Sequence, residues 1–279
     1  MRLDLDHLEG WIGREDHASE ELTAALVARF NATFDRQSPL DHGAEAPVLI
    51  HLCLAQPIAS TKALGTDGHP AKGGFLPPVP LPRRMWAGGR IDFHRPLRIG
   101  DTVSRRSVIE GIELKQGKSG PLCFVTVRHA FESGGGPALT ERQDIVYREI
   151  TGAGVGAAMP SEPAPAGAET RTVTASAPLL FRYSALTFNG HRIHYDAPYA
   201  KTEEGYPGLV IHGPLQATML CQFATDLCGA APRRFDFRSL SPIFGPDRFG
   251  LHAVPDGEAL SLWTAQEGGP VSMMATAQW

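Results

Sequence analysis

Gly213-Pro214-Leu215-Gln216-Ala217-Thr218-Met219-Leu220-Cys221-Gln222-Phe223-Ala224-Thr225-Asp226-Leu227-Cys228 is the stretch that decides the fold. Leu215, Met219, Leu220, Phe223 and Leu227 fall on one side of a helix running from about Pro214 to Cys228. Downstream, Arg234–Ser239, Gly250–Ala253, Ala259–Gln266 and Pro270–Gln278 alternate as strands between Gly, Pro and Asp turns. One apolar helix followed by antiparallel strands buries itself only if the sheet curls around it. That predicts an α+β hotdog unit.

The first half has the same grammar, shifted. Ser19 is expected to cap a helix, with Glu20 and Glu21 at the positive end of its dipole and Leu22, Leu26, Phe30 and Phe34 as its apolar stripe. A second helix is expected over Pro47–Gln56, where Pro47 loses little by lacking an N–H. The Pro/Gly-rich run Gly73–Pro82 reads as loop. Arg90–His94, Asp101–Leu114, Leu122–Phe131 and Thr140–Glu149 read as strands, with Gln116–Gly120 a turn. In the second half, Leu179–Ser184 is expected as a strand, followed by a polar loop through His194. Between the halves, Gly152–Glu169 combines small residues with three prolines and reads as a linker. The expected organisation is a double hotdog: residues 1–151, a linker over 152–169, and residues 170–279.

Composition narrows the function. Hydrophobic residues make up 42% of the 279, enough for a real core. A net charge of -4 argues against general nucleic-acid binding, which needs a basic surface. Cys53, Cys123, Cys221 and Cys228 form no C-x-x-C pair and sit in apolar segments, so buried free thiols in a reducing compartment are expected. Met1–Asp6 is acidic and lacks the apolar core of a signal peptide. No stretch reaches the ~18 apolar residues of a spanning helix. A soluble, cytoplasmic protein without membrane partners is expected.

The chemistry is concentrated in Phe181-Arg182-Tyr183-Ser184-Ala185-Leu186-Thr187-Phe188-Asn189-Gly190-His191-Arg192-Ile193-His194-Tyr195-Asp196, continued by Pro198-Tyr199-Ala200 and by Ile211-His212-Gly213. A histidine near its reference pKa of roughly 6.5 passes protons in either direction at neutral pH, which suits His194. Asn189 can hold a water through its carbonyl oxygen without taking its proton. Gly213 opens a helix, where free N–H groups can receive a developing oxyanion, worth about 3–4 kcal/mol of barrier per donor in other enzymes. His191 and Asp196 have structural readings, as a loop histidine and a turn cap, beside a part in the site. His212 can cap the helix or contact ligand. His94, on a first-half strand, is a weaker candidate. His191, His194, Asp196 and His212 fit no standard zinc spacing, so no metal is expected.

These segments resemble the MaoC-like (R)-specific enoyl-CoA hydratases. Ile193-His194-Tyr195-Asp196 with Tyr199-Ala200 matches the middle of their signature, and Ile211-His212-Gly213 its end. The resemblance implies that His194 is the catalytic histidine. Asn189 stands where that family has a catalytic aspartate, which departs from a two-residue acid/base mechanism. The whole string also resembles the branch containing type 2 3-hydroxyacyl-thioester dehydratases and the mesaconyl-C4-CoA and itaconyl-CoA hydratases, which carry asparagine here. Phe75-Leu76-Pro77-Pro78, Arg84-Met85-Trp86-Ala87-Gly88-Gly89 and Phe93-His94-Arg95-Pro96-Leu97 look like the same branch.

The implied activity is reversible hydration or dehydration of an acyl-CoA thioester, with no cofactor beyond the CoA of the substrate. A small branched dicarboxylyl group would need a cationic anchor, for which Arg182 and Arg192 are the candidates. The alternatives are a dehydratase for longer acyl chains, a non-catalytic acyl-thioester-binding module, and a thioesterase. The last would use a carboxylate on the central helix, where Asp226 is the only acid. Exposed sheet edges leave room for a homodimer.

Overall fold

The computed structural model describes residues 3–117, 120–149 and 162–279. The first half comprises α1 (Leu5–Glu9), β1 (Glu15–Glu21), α2 (Ala24–Thr33), β2 (Arg83–Phe93), β3 (Thr102–Gly117), β4 (Gly120–Ser133) and β5 (Gly136–Arg148). The second comprises β6 (Glu169–Thr174), α3 (Ala177–Leu186), α4 (Ala197–Thr202), β7 (Leu209–Val210), α5 (Gly213–Cys228), β8 (Arg234–Ser239), β9 (Phe244–Gly245), β10 (Arg248–Asp256), β11 (Ala259–Gln266) and β12 (Val271–Gln278). Ten strands form one sheet in the order β1-β3-β4-β5-β2-β8-β12-β11-β10-β6, while β7 pairs with β9. The order is a mirror: an edge strand, three inner strands and a seam strand, then the same elements reversed.

The seam is β2 against β8, in register from Gly88 opposite Arg238 to Asp92 opposite Arg234. Gly89 allows the close approach, since a Cβ there would stand 2.7 Å from Phe237 Cζ. Arg234–Asp92 and Arg90–Asp236, each 2.6 Å, cross the seam. Inner strands alternate buried and outward residues, as a half-covered sheet requires. α5 packs on β10, β11 and β12 and buries Leu215, Leu220 and Phe223. Each such side chain contributes about 1.5–3 kcal/mol. Gly229, at φ 74°, ends the helix in the left-handed conformation. One apolar cluster joins Phe30, Ile91 and Phe131 to Leu220, Phe235 and Phe249, so the two halves share a core.

Several elements differ from expectation. Ser19, Glu20 and Glu21 lie on β1, and Thr23 caps α2 by accepting the Leu26 N–H at 3.2 Å. Pro47–Gln56 is not an α-helix. Leu49 sits at φ 64°, and only Ile50–Cys53 coils, as a 3-10 turn. Leu179–Ser184 belongs to α3 rather than to a strand. Ser176 caps it and Pro178 occupies its first turn; Leu180, Tyr183 and Ser184 are buried at helical spacing. The "polar loop" contains a 3-10 turn at Arg192–His194 and α4. Cys228 is exposed at the end of α5, while Cys53, Cys123 and Cys221 are buried.

The expected linker lies outside the described residues over 152–161, and so do 118–119 of the Gln116–Gly120 turn. Glu169, placed at the linker's end, is the first residue of β6. Among the described residues, no helix is long and apolar enough to cross a membrane. The sheet edges β1 and β6 are studded with charge, including Glu15, Asp16, Glu169 and Arg171, which opposes edge-to-edge pairing.

Candidate active site

α3 ends at Leu186, and Phe188, at φ 50°, turns the chain sharply. Asn189 then holds a tight turn: its N–H donates to Ser184 O at 2.8 Å, and its Oδ1 accepts the His191 N–H at 3.0 Å. One carbonyl lone pair is thereby spent and one remains. The 3-10 turn that follows brings His194 inward, 7% exposed. His194 Nδ1 donates to Val210 O at 2.7 Å, which leaves Nε2 as a free acceptor. β7 then leads into α5, with His212 at its N-cap and Gly213 as its first residue.

Three ring contacts follow that were not legible as pairs. His212 stacks on His194 with centroids 3.6 Å apart, and its Nε2 lies 2.8 Å from Ser184 Oγ. His191 meets His194 edge-on at 5.4 Å, and His69 of the first half tilts over His191 at 4.1 Å. The result is a continuous run His69–His191–His194–His212. Burial, aided by His212 and His191, pushes His194 well below the usual histidine range. Burial and then His191 push His212 down to about 3, and burial drives His69 to about 3 as well. His69, His194 and His212 are therefore neutral at physiological pH. A neutral imidazole with a free Nε2 is a proton acceptor.

The first half reaches this run through one loop. Arg192 N–H donates to Asp67 O at 2.9 Å, and Arg192 Nη1 to Thr66 O at 3.0 Å. Gly68, at φ 87°, lies so close that a Cβ would overlap the Gly190 carbonyl. Asp67 Oδ2 accepts His69 Nδ1 at 2.9 Å. Asp67, His69 and His191 hold ligand-type atoms within 4.8 Å of one another, a grouping that spacing alone could not reveal. Within this group Asp67 Oδ2 and His69 Nδ1 are already hydrogen-bonded to each other. Glu204 Oε1 stands 3.5 Å from His191 Nε2, and Glu204 also pairs with the buried Arg83.

Gly213 presents an N–H in the first helical turn, where no intrahelical acceptor exists. Its missing side chain is used: a Cβ would stand 3.0 Å from Trp86 Cε3 and 3.6 Å from Ser239 Oγ. Trp86 stacks on Phe237 at 4.3 Å, fixing that wall. Ser239 Oγ is buried without a partner, so a polar atom at the helix mouth awaits one.

A cleft of about 780 Å³ opens on the outer side of the histidine run, with His69, Arg192, Asp196 and Glu204 on its wall. His191 and then His194 lie behind His69. The expected site residues divide accordingly. Asn189, His191, His194, His212 and Gly213 come together. Arg192 and Asp196 reach the cleft but are committed to each other. Arg192 Nε and Nη2 donate to Asp196 Oδ2 at 3.0 and 2.8 Å, and Asp196 Oδ1 caps α4 at Tyr199 N, 3.1 Å. The Tyr199 N–H and the Arg192 guanidinium hold Asp196 below the usual carboxylate range. Arg182 is on the exposed face of α3 and does not line the cleft. His94 is exposed and hydrogen-bonds Thr140 at 3.2 Å, away from the run. Sequence reasoning missed Asp67, His69, Ser184, Glu204 and Ser239. The one local signal was the turn-forming Asp67-Gly68-His69-Pro70 inside a loop without other regular structure.

Comparison with known proteins shows the family and the fold. A family model described as hydroxyacyl-thioester dehydratase type 2 matches residues 49–245. Mesaconyl-C(4)-CoA hydratase of Chloroflexus aurantiacus is 45% identical over 270 residues, covering 96% of each chain. Mitochondrial hydroxyacyl-thioester dehydratase type 2 of Schizosaccharomyces pombe is 30% identical over 207 residues, covering 65% of this chain and 68% of that one. A Mycobacterium tuberculosis protein described as having a double hotdog fold superposes with a TM-score of 0.58 at 14% identity, covering 96% of both chains. The mirrored sheet is thus the expected double hotdog. The chain belongs to the hydroxyacyl-thioester dehydratase type 2 family of MaoC-like hotdog hydro-lyases, whose reaction is the addition or removal of water on an acyl thioester.

Proposed function

We propose that the chain hydrates a small branched enoyl dicarboxylyl-CoA of the mesaconyl-C4-CoA type. The 45% identity to the Chloroflexus aurantiacus hydratase across nearly both whole chains carries this choice of substrate. In the forward direction His194 Nε2 takes a proton from water as the water oxygen bonds to the β carbon. The alkene electrons move onto the thioester, and the oxygen gains charge beside the Gly213 N–H. The resulting imidazolium returns its proton to the α carbon, so one histidine serves as base and then as acid. Asn189 steadies the water with its remaining lone pair and takes no proton. The second half carries this chemistry, and the first supplies pocket walls, with residues 152–169 as the linker.

Purified chain would be mixed with mesaconyl-C4-CoA, itaconyl-CoA, crotonyl-CoA and a long-chain enoyl-CoA, following enoyl absorbance, product mass and free thiol. The expected result is fastest turnover of mesaconyl-C4-CoA, a product heavier by one water, and no thiol release. Turnover of the long-chain substrate alone would move the assignment to fatty-acyl dehydration. Thiol release would move it to hydrolysis.

A further inference from the structure

A dicarboxylyl substrate carries a free carboxylate that needs a cationic partner, and neither expected arginine is available. Four cations stand on the cleft wall: Lys72, Arg83, Arg84 and Arg192. Arg83 is committed to Glu204 and Arg192 to Asp196. Lys72 donates only to the carbonyls of Val79 and Leu81, and its ammonium lies 5.7 Å over the Tyr147 ring. Arg84 has no carboxylate partner among the described residues. It sits opposite Tyr147 in the β2–β5 register, and the Tyr147 hydroxyl is buried without an acceptor. Burial and the Arg84 charge both lower the Lys72 pKa, as expected for two cations held near each other. Asp67, on the same wall and held by His69, offsets the Lys72 shift only in part. Adjacent like charges beside an unspent hydroxyl have the composition of an anion site.

Spacing indicates which anion. Arg84 and Trp86 are two residues apart on β2, so they share a face and stand roughly 7 Å apart. The β2 bulge falls after Trp86 and does not disturb this relation. Trp86 in turn touches Gly213, the seat proposed for the thioester oxygen. The cation pair is therefore about one short acyl group from that oxygen. The CoA diphosphate, by contrast, is separated from the thioester by the whole pantetheine arm.

We propose that Arg84 and Lys72, beside Tyr147, form the subsite that holds the free carboxylate of a dicarboxylyl thioester. This rests on the substrate assigned above, and the control below separates failure of the subsite from failure of that assignment. The test measures kcat/KM for mesaconyl-C4-CoA and crotonyl-CoA with wild-type chain, Arg84→Met, Arg84→Lys and Lys72→Met, each checked by circular dichroism. Arg84→Met is expected to lower the mesaconyl-to-crotonyl specificity ratio about 100-fold, mostly through KM, because a site built for a polar group discriminates strongly. Arg84→Lys keeps the charge without the planar fork and is expected to recover part of the ratio. Lys72→Met should lower it by about tenfold. Equal losses on both substrates would place these cations on the CoA diphosphate and overturn the proposal, as would an unchanged ratio. Should Arg84→Met fail to fold, the other two variants decide the matter by the same ratio. Wild-type chain that hydrates crotonyl-CoA but not mesaconyl-C4-CoA defeats the substrate assignment, and the subsite with it, without reference to Arg84.

Discussion

α5 runs for 16 residues in the second half, while at the same point in the first half Ile50–Cys53 makes a turn of 4. Both segments precede the seam strand of their half, β8 and β2. The inner strands show the opposite bias. β3, β4 and β5 have 16, 14 and 13 residues, against 9, 8 and 8 for β10, β11 and β12. The half with the long helix has an N-terminus with open N–H groups and a histidine beside it. The half with the short turn has the longer sheet and sends residues 65–72 and β2 across to the other half. Of two similar frames, only the second has a long helix whose dipole end could face an acyl thioester.

The sharpest test of this asymmetry removes the group proposed to transfer the proton. His194→Ala should lower kcat for the preferred enoyl-CoA by about 10³–10⁴-fold, the upper range for general acid–base catalysis. Thioester binding should persist, because Gly213 and the cleft are untouched. His129, a buried first-half histidine hydrogen-bonded to Ser107 at 2.7 Å, is the matched control. Its replacement by Gln should show mainly as lost stability. Equal kinetic losses from the two would erase the distinction between the halves.

A smaller effect is expected where the halves touch. Gly68→Ala forces a left-handed backbone on alanine and drives its Cβ into the Gly190 carbonyl. Together these should cost about 2–3 kcal/mol in denaturant unfolding. Gly135→Ala separates the two causes, since Gly135 has φ 79° and nothing within 4 Å of its would-be Cβ. It should lose only the backbone share. If both variants lose the same stability, the loop of residues 65–70 is not firmly docked on the catalytic turn.

These contacts also mark what the sequence could convey. α5 was legible because its apolar stripe is long and periodic, and β11 because its alternation is bounded by turns; both agree with the structure to within a residue. β1 and β6 left no trace, since nearly all their residues face solvent and only pairing with β3 and β10 holds them extended. Leu179–Ser184 is a short apolar run, for which periodicity cannot separate a strand from a buried helix. The His194 and Gly213 candidates came from a local motif. His69 was not legible, because it meets His191 across more than a hundred residues of chain. Arg182 and Arg192 show a related limit: sequence does not reveal that Arg192 is already paired with Asp196 or that Arg182 lies on an exposed helix face.

The buried histidines held below their usual range predict a pH response. Unfolded imidazoles titrate near ~6.5, whereas burial holds folded His69 and His212 at about 3. Between those values the unfolded chain binds more protons. Stability is therefore complete above ~6.5 and falls as the pH drops, by about 1.4 kcal/mol per unit for each ring. His129, pushed down to about 4 by burial, adds a first-half share above that value. Urea unfolding between pH 7.5 and 5 should show the loss, and His129→Gln should reduce its slope by one ring's worth. A midpoint that stays level over that range would mean the rings are not buried neutral.

The least disruptive change bears on the residue that sets this branch apart. Asn189→Asp preserves the turn, because a carboxylate oxygen can accept the His191 N–H as the amide oxygen does. If Asn189 only steadies the loop and a water, aspartate keeps both functions and kcat should shift by less than about tenfold. Asn189→Ala removes the acceptor as well and should cost more than the aspartate. A gain above tenfold with Asp, together with an acidic limb in the pH–rate profile, would show that the site still has room for the two-residue acid/base mechanism. The asparagine would then be a tuned restraint on that mechanism. A loss with Asp equal to that of Ala would instead mean that the amide N–H₂ is the working end, donating to substrate. His194 would then be the sole proton carrier, with its Nδ1 held by the Val210 carbonyl so that Nε2 stays free.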